Sequence, residues 1–447
     1  MYINNELIKL PVPLTDYQQV RDSITTDLPF SGDEVADILP TTALQRHYIR
    51  EKQRTYFALR FPGLLDRTRL KASLQSLVQK HSILRTVFVP FQVTILQVIL
   101  RHVEIQIDDV SRNDADFAAA VKMLCQQMSS AGDLCLTPRI QVTMVLGPHS
   151  QSALILPLSH AQYDDVGMSC LMEDLSSAYS NGLALGSGPT FADYLMHRAQ
   201  LDRLAAIKHW HALLQFSSMT KLQTANDPSR HLSTTAINLR RTISPDDFPT
   251  SVSPSTVLKA AWSLVLARRT NAHDLVFCEM VNGRNIPMDH VDEVAGLCAG
   301  VVPVRVTLEP GCSVKDLLKQ VQQQHIQSLE HSSIDFEEIA EQATSWPRGA
   351  APDSIIQYLY RMPLTNSLRF GQLDGICEAF SPGYVPQSTY TTLCPGVDGT
   401  FVVTIWTASR LLSQHTAESL LDHTCKYYLY LLENPDQPVT ELLDLRF

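Results

Sequence analysis

The sequence predicts an α/β protein with two lobes. Apolar stretches of strand length, such as 153–158, alternate with segments in which apolar residues recur every three or four positions, such as 70–84, and this pattern is typical of strands and amphipathic helices. At 447 residues the chain is too long for one ordinary hydrophobic core, so two lobes are expected. We place the boundary near the polar segment 217–233, which gives a linker over 1–33, an N-terminal lobe over 34–220 and a C-terminal lobe over 221–447.

Charge and composition exclude several classes of partner. The formal net charge is −10 and there is no long run of Lys or Arg, which argues against nucleic acid. The first residues lack a signal peptide pattern, and no apolar run reaches membrane-spanning length. The nine cysteines include no CxxC pair, which is typical of reduced thiols in the cytosol. We therefore expect a cytoplasmic protein without membrane or nucleic-acid partners.

The N-terminal segment is polar and contains Pro11, Pro13 and Pro29. This composition is typical of a linker. It indicates that the chain is part of a longer polypeptide, with the linker leading in from an upstream module.

The predicted N-terminal lobe alternates helices and strands. After a turn and helix start at 37–45, its predicted elements are a helix over 70–84, a strand over 85–89, strands within 92–107 and 139–158, a helix from about 165 to 180, and a helical stretch over 191–214. Within it, His81 is expected to be a helix-end residue and Arg85 to have a structural role.

Four histidines raise the question of a metal site: His197, His209, His211 and His231. No carboxylate or cysteine completes a ligand set at recognisable spacing. We therefore predict that they are solvated helix residues and that no metal is bound.

The predicted C-terminal lobe also mixes strands and helices. Its elements are a strand over 236–242, a helix over 253–269, strands over 274–278, 355–358 and 400–406, and a final helix that carries Leu420 and Leu431.

The apolar strand at 153–158 ends in the motif Ser159-His160-Ala161-Gln162-Tyr163-Asp164-Asp165. The motif lies between that strand and an amphipathic helix, a position where catalytic groups are often displayed. His160 can accept a proton near neutral pH. Asp164 is expected to pair with an arginine and hold the turn. Taken alone, HxxxD is a weak signal, because a histidine beside an apolar strand is more often a core residue.

This motif resembles HHxxxDG, the active-site signature of the condensation-domain superfamily of nonribosomal peptide synthetases. Ser159 stands at the first histidine, as in the SHxxxDxxS signature of fungal terminal condensation-like (CT) domains, which release a peptide by cyclising it. Segments from about Val35 to the end are also similar to family motifs, namely 37–45, 80–88, 281–287, 296–305, 330–339 and 355–358.

The resemblance implies a fold of two chloramphenicol-acetyltransferase-like α/β lobes in a V-shaped pseudo-dimer, with His160 in a tunnel. It implies that His160 is the general base of an acyl transfer from sulfur to nitrogen, or at least orients and stabilises the ammonium that forms, and that Arg284 pairs with Asp164. Ser159 is either a hydrogen-bonding support or a plain turn residue. Gly300 replaces an asparagine near the tunnel, and the aromatic residues Tyr358 and Trp406 are candidate tunnel residues, for which core packing is the commoner role.

The function implied is macrocyclisation and release of a carrier-bound peptidyl thioester in fungal secondary metabolism. No cofactor is expected on the domain itself, since the phosphopantetheine arm of an upstream peptidyl carrier domain delivers the substrate. The excised domain is expected to be monomeric. Two alternatives remain, an elongating condensation domain that joins two carrier-bound substrates and a catalytically silent platform that binds a carrier. A plant-type coenzyme A acyltransferase is disfavoured because a DFGWG segment is absent.

Two residues depart from the family motif. Asp165 replaces the usual glycine and is expected to cap the following helix, with a raised pKa of His160 as the alternative consequence. Gly167 stands where the CT signature has serine. Either this hydroxyl is dispensable or the domain is impaired.

Overall fold

The computed structural model describes residues 20, 22, 24, 30–128, 139–182, 184–222, 234–245, 248, 251–359, 368–396 and 398–443. The chain forms two compact units. The first contains Met1–Leu201, Ile286–Cys298 and Leu364–Tyr384, and the second contains Asp202–Asn285, Ala299–Pro363 and Val385–Phe447. Each unit has a six-stranded sheet covered by helices, so the predicted two-lobed α/β class is confirmed.

The helices and strands of the described residues alternate along the chain. In order they are β1 (Val35–Pro40), α1 (Ala43–Arg50), β2 (Arg54–Phe61), α2 (Arg67–Lys80), β3 (Thr86–Phe91), β4 (Thr94–Leu100), β5 (Glu104–Ser111), α3 (Phe117–Gln127), β6 (Arg139–Leu146), β7 (Ser152–Ser159), α4 (Asp165–Asn181), α5 (Phe191–Ala199), α6 (Arg203–Leu214), β8 (Ala236–Ile243), α7 (Pro254–Thr270), β9 (Asp274–Val281), β10 (Gly300–Thr307), α8 (Val314–Leu329), α9 (Phe336–Ala343), β11 (Ser354–Tyr358), β12 (Leu368–Phe370), β13 (Leu373–Phe380), β14 (Thr389–Pro395), β15 (Phe401–Ala408), α10 (Gln414–Glu433) and α11 (Val439–Leu443).

The sheet of the first unit has the order β12-β13-β2-β7-β6-β5. Side chains alternate across it, as the two-residue period of a strand requires. Phe57 and Leu59 of β2 are two residues apart and share a core with α2, α4 and α5. Tyr56 and Ala58 face the opposite side and pack with α3. The neighbouring strand β7 contributes to both cores in the same way, so it is buried on both faces up to the turn that follows it.

A smaller sheet, β1-β4-β3, also belongs to the first unit. Val20, Ile24 and Phe30 are buried in its core. These residues lie within the segment predicted to be a linker, so this part of it packs against the domain. In the remainder of the predicted linker up to residue 29, Asp22 is exposed and the other residues lie outside the described ones.

The two units are not divided at residue 220. Strand β13 pairs antiparallel with β2 of the first unit, and Val294, Ala295 and Cys298 are buried in the core of that unit. Helix α6, in contrast, packs in the second unit. The prediction assumed that the chain passes from the first unit to the second only once, whereas the segments 286–298 and 364–384 return to the first unit. Strand periodicity shows which face of a strand is buried but does not identify its partner strand.

The sheet of the second unit has the order β10-β9-β11-β14-β15-β8. Helices α7, α8, α10 and α11 cover one face, and α6 and α9 cover the other. Helix α7 is buried without interruption from Thr256 to Ala267. A helix enclosed on all sides cannot show a one-sided apolar stripe.

The helical stretch predicted over 191–214 is two helices, α5 and α6. The second helix begins at a separate cap, because the side chain of Asp202 accepts a hydrogen bond from the backbone N–H of Ala205 at 2.9 Å. An aspartate in this position satisfies an N–H group that has no partner within the helix.

Candidate functional site

The turn after β7 is closed by the side chains at its two ends. The Oγ of Ser159 accepts a hydrogen bond from the N–H of Ala161 at 3.3 Å, and the Oε1 of Gln162 accepts one from the N–H of Ser159 at 3.0 Å. Ser159 is buried and is the cap of a short 3₁₀ helix over His160–Gln162. These contacts give the serine a structural task in the turn.

The imidazole of His160 lies between two tyrosine rings. Its centroid is 4.2 Å from that of Tyr48 and 4.6 Å from that of Tyr163. The hydroxyl of Tyr163 donates a 2.6 Å hydrogen bond to Oγ1 of Thr55. The backbone N–H of His160 donates to the carbonyl of Gln53 at 3.0 Å. The histidine is thus held by its backbone and by the faces of its ring.

One of the two ring nitrogens of His160 is enclosed by the fold. Nδ1 is buried and has no hydrogen-bond partner among the described residues, although the residue as a whole is partly exposed. Burial lowers the pKa of His160 from 6.5 to about 4, and the nearby His47 lowers it further, while Asp164 opposes both. The imidazole is therefore neutral at pH 7, and a neutral imidazole can accept a proton.

Neither of the two consequences considered for Asp165 is found in the structure. The acidic residue that raises the pKa of His160 is Asp164, and it does not overcome burial. Nor is Asp165 the helix cap. It is the exposed first residue of α4, where a negative charge interacts favourably with the helix dipole. The cap itself is Asp164.

Asp164 joins two separate segments of the first unit. Its Oδ1 accepts a hydrogen bond from the N–H of Gly167 at 2.8 Å, which caps α4, and its Oδ2 accepts one from the N–H of Cys298 at 2.8 Å. The side chain is buried. The structural role predicted for Asp164 therefore includes anchoring the segment 286–298.

Gly167 lies against the backbone of that same segment. A Cβ at position 167 would lie 2.9 Å from both the N and the O of Gly296. Real Cβ atoms do not approach backbone atoms this closely, so a serine here would require α4 or the segment 286–298 to move. The glycine that replaces the serine of the CT signature is thus matched to its surroundings.

Arg284 belongs to the second unit and follows β9. It is buried, its N–H donates to Oδ1 of Asn282 at 3.1 Å, and its Nη1 donates to the carbonyl of Asn282 at 3.2 Å. These bonds shape the turn after the strand. The pairing of Arg284 with Asp164, implied by the family resemblance, stays a prediction.

The three candidate tunnel residues all lie in the second unit. Trp406 pairs with Tyr390 in the core beneath α6 and α9. Tyr358 pairs with Leu393 and packs against the core on the other face of the sheet. A cavity on one face of this sheet cannot receive both aromatic rings. Gly300 opens β10 and has room for a Cβ, whose nearest neighbour would be Val281 at 3.9 Å.

Several residues around His160 were not predicted from the sequence as part of a site. Gln45 on α1 donates from Nε2 to the carbonyl of Ala161 at 3.0 Å, and Tyr48, Gln53 and Tyr163 contact His160 itself. The available signal was the first family motif, 37–45, which ends at this glutamine. A buried glutamine in an otherwise apolar region is a better marker of a hydrogen-bonded site than of a core.

His81 and Arg85, the other two residues discussed above, make contacts within the fold. His81 ends α2 and its Nε2 lies 2.6 Å from Oδ2 of Asp174. Arg85 donates from Nε to the carbonyl of Val78 at 3.0 Å and from Nη1 to that of Leu100. Both predictions, a helix-end residue and a structural arginine, are confirmed.

The prediction of solvated histidines is wrong for His209, which is stacked on His331 at 4.4 Å. His211 is exposed, as predicted, with its Nδ1 3.2 Å from the carbonyl of Ala343. Nδ1 of His197 lies 2.9 Å from the carbonyl of Asp193, and His231 lies outside the described residues. Packing between α6 and its neighbours accounts for the position of His209.

The described part of the chain contains neither a cluster of metal ligands nor a membrane-spanning helix. No group of three or more potential ligands could hold a metal ion in those residues. Among the same residues, no helix combines the length and the apolarity that crossing a bilayer requires.

A scan against family models matches residues 36–445 to the condensation domain. The chain belongs to the condensation-domain family. It is 31% identical over 419 residues to malformin synthetase mlfA of Aspergillus sclerotiicarbonarius, covering 93% of this chain and 8% of that protein. It is 31% identical to D-lysergyl-peptide-synthetase subunit 1 of Epichloe festucae var. lolii, covering 95% of this chain and 12% of that protein. The condensation domain described here thus spans about a tenth of the length of these relatives.

Solved structures support the same assignment. A crystal structure named CT matches with a TM-score of 0.84 and 25% identity, over 99% of this chain and 100% of that one. The structure named holo T3CT matches with the same TM-score and identity over 97% of this chain. The condensation domain of the polyketide synthase MokA has a TM-score of 0.73 at 14% identity, which supports the fold alone. The predicted resemblance to a CT domain is confirmed.

Proposed function

We propose that this condensation domain is a terminal, CT-type domain that cyclises a carrier-bound peptide and releases it. The observation that carries the proposal is His160, a neutral imidazole at the end of β7 that is partly exposed and whose Nδ1 is buried. The likeness to the CT structures and Ser159 in place of the first histidine support the cyclising variant.

The proposed reaction transfers an acyl group from sulfur to nitrogen. The amine of the peptide attacks the thioester carbon, the bond from carbon to nitrogen forms, and the bond from carbon to sulfur breaks. His160 accepts the proton that the attacking amine loses, and the thiol of the carrier leaves after taking up a proton. A positioned base of this kind contributes about 10²–10⁴-fold in rate.

The domain needs no cofactor of its own in this reaction. A phosphopantetheine arm on an upstream peptidyl carrier domain would present the thioester, so the partners are that carrier and its peptide. We further propose that the domain works as a monomeric module in the cytoplasm and serves fungal secondary metabolism. Holding both ends of one peptide together supplies an effective molarity of about 10⁵ M or more.

The test is a product assay by mass spectrometry. The domain is mixed with a carrier protein loaded with a short, amine-bearing peptidyl phosphopantetheine thioester. Wild type, His160→Ala and the matched control His197→Ala are compared, because His197 is a histidine of the same unit whose Nδ1 contacts only a helix carbonyl. A cyclic product from wild type and control that is lost with His160→Ala is the expected result.

A second arm adds another carrier that bears an aminoacyl acceptor. A linear product that contains both substrates, with no cyclic product, identifies an elongating condensation domain. This is the second candidate, because the chain matches only 8% and 12% of the length of the two synthetases named above. Thioester that stays untouched, or is hydrolysed equally by wild type and His160→Ala across several peptides, identifies a silent platform.

A further inference from the structure

Gln45 is a fully buried amide at the start of α1. Its Oε1 accepts a hydrogen bond from the N–H of Thr42 at 3.0 Å. Its Nε2 donates at 3.0 Å both to Oε1 of Gln97 and to the carbonyl of Ala161. Both hydrogens of the amide are therefore used, and one of them is directed at the residue that follows His160.

Gln97 holds this amide in place from the other side. It is buried on β4, and its Nε2 donates to the carbonyl of Pro40 at 2.7 Å. The Oε1 of Gln97 therefore faces Gln45. Because this oxygen can only accept, the Nε2 of Gln45 must be the end that faces it, and the same Nε2 reaches the carbonyl of Ala161. Buried amides with every group satisfied hold a single arrangement.

Helix α1 and the residues after it contact His160 and its neighbour Ala161 at three points. Gln45 binds the carbonyl of Ala161, the tilted ring of Tyr48 lies against the imidazole one helical turn further on, and the carbonyl of Gln53 accepts from the N–H of His160. Residues 45 and 48 lie on the same side of the helix, because residues three apart are neighbours on a helix surface.

A catalytic histidine is commonly oriented by a hydrogen bond to its second ring nitrogen. His160 has none from the residues that the structure describes, since its buried Nδ1 lacks a partner among them. Its direction is set instead by the backbone on either side and by the rings against its faces.

We propose that Gln45 and Tyr48 are positioning residues that direct the imidazole of His160 toward the reacting amine, an inference that rests on the proposed function. Gln45 acts through the backbone of Ala161 and Tyr48 through the ring face. A displacement of about 1 Å at a reacting group costs on the order of 10²-fold in rate. Loss of either contact therefore reduces turnover, while the peptide still binds.

The experiment compares four variants in the cyclisation assay. Gln45→Met keeps the length of the side chain and removes its hydrogen bonds. Tyr48→Leu removes the ring beside the imidazole, and Tyr48→Phe is the conservative variant that keeps it. The matched control is Ser152→Ala, which removes a buried donor at the opposite end of β7, where Oγ of Ser152 donates to the carbonyl of Gly63 at 2.6 Å.

Two readouts separate positioning from general stability. We expect Gln45→Met and Tyr48→Leu to lower kcat by about 10²-fold with KM unchanged, and Tyr48→Phe and Ser152→Ala to keep kcat. The pKa of His160, followed by NMR, is expected to rise toward 6.5 in the first two variants and to stay near 4 in wild type and in the other two.

The NMR titration needs no substrate. If wild type forms no cyclic product, the proposed function fails while the titration still tests the positioning of the ring. If Gln45→Met and Tyr48→Leu lose stability as Ser152→Ala does but keep both kcat and the pKa of His160, the residues are merely structural and the inference is overturned.

Discussion

The backbone N–H of Cys298 donates a 2.8 Å hydrogen bond to Oδ2 of Asp164. The other oxygen of this carboxylate caps α4 through the N–H of Gly167. One buried side chain thus ties the helix after the His160 turn to a segment 134 residues further along the chain. The aspartate of the family motif acts in this domain as a structural junction.

Replacing Asp164 should separate these two roles. Asp164→Ala removes a helix cap, worth about 1 kcal/mol, and leaves the buried N–H of Cys298 without its acceptor, worth about 1–3 kcal/mol. Asp164→Ser should restore the cap alone, because its shorter side chain reaches only the helix. Chemical denaturation measures the difference. An Asp164→Ser variant as stable as wild type would contradict the bond to Cys298 as a contributor, and equal stability of the two variants would contradict the cap.

Gly167 should tolerate no side chain. Gly167→Ala places a Cβ 2.9 Å from the backbone of Gly296, so we expect a loss of about 1–3 kcal/mol from overpacking and lower cyclisation activity. Gly186→Ala is the matched control, since an added Cβ there meets no atom within 4 Å. The midpoints of thermal unfolding compare the two. A Gly167→Ser variant as stable as wild type would show that the segment 286–298 yields easily.

The pH profile should report the environment of His160. Because its pKa is lowered to about 4, we expect kcat/KM, calculated for the neutral fraction of the substrate amine, to stay level as the pH falls through 6.5 and to decline near pH 4. The unfolded chain takes up this proton first, so the free energy of unfolding should also fall between about pH 6.5 and 4, by about 1.4 kcal/mol for each unit of pKa difference.

His160→Ala is the control for the pH dependence of the free energy of unfolding. This variant should lack the part of the pH dependence of unfolding that lies between pH 6.5 and 4. A wild-type profile of kcat/KM with its midpoint near 6.5 would show that the imidazole is solvated in the working enzyme.

The buried ion pair of Lys259 and Glu279 in the second unit, which His325 adjoins, should be sensitive to loss of one partner. Nζ of Lys259 donates to Oε2 of Glu279 at 2.6 Å, and Nδ1 of His325 lies 2.9 Å from Oε1 of the same carboxylate. Lys259 and His325 together lower the pKa of Glu279 to about 2 against the effect of burial. Lys259→Met leaves a buried carboxylate without its main partner, which costs about 3–5 kcal/mol.

The double variant Lys259→Met/Glu279→Met is the control. Replacing both charges by apolar groups is often neutral for stability, so most of the loss should be recovered in urea denaturation. A double variant as unstable as the single one would mean that the pair contributes more than the cost of its burial. The contribution of Glu279 is present above its ordinary pKa of 4.5 and is lost as the pH falls toward 2.

Local pattern was sufficient where one segment carried the whole signal. The strand β7, the turn that bears His160 and the helix α4 were predicted from adjacent residues, since an apolar strand, a polar turn and a helical period lie side by side. For the stretch over 191–214, reliance on the local pattern gave the wrong result. Its helical period continues across the cap at Asp202, so periodicity alone did not reveal the end of α5.

Contacts between distant segments were not predictable in this way. Gln45 binds a carbonyl 116 residues away, and the family motif that ends at Gln45 does not show which residue its amide binds. The membership of β13 in the first sheet has the same origin, since its pairing with β2 depends on register between strands more than 300 residues apart.

The sequence by itself determined the α/β class, the place of His160 at the end of a buried strand and, through its motifs, the resemblance to CT domains. These depend on the order of neighbouring residues, which sets strand and helix periods directly. Only the tertiary structure decided that the imidazole lies between Tyr48 and Tyr163, that its pKa falls to about 4, and that Asp164 anchors Cys298. Those properties arise from burial and from contacts between segments far apart in the chain, and both exist only once the chain has packed.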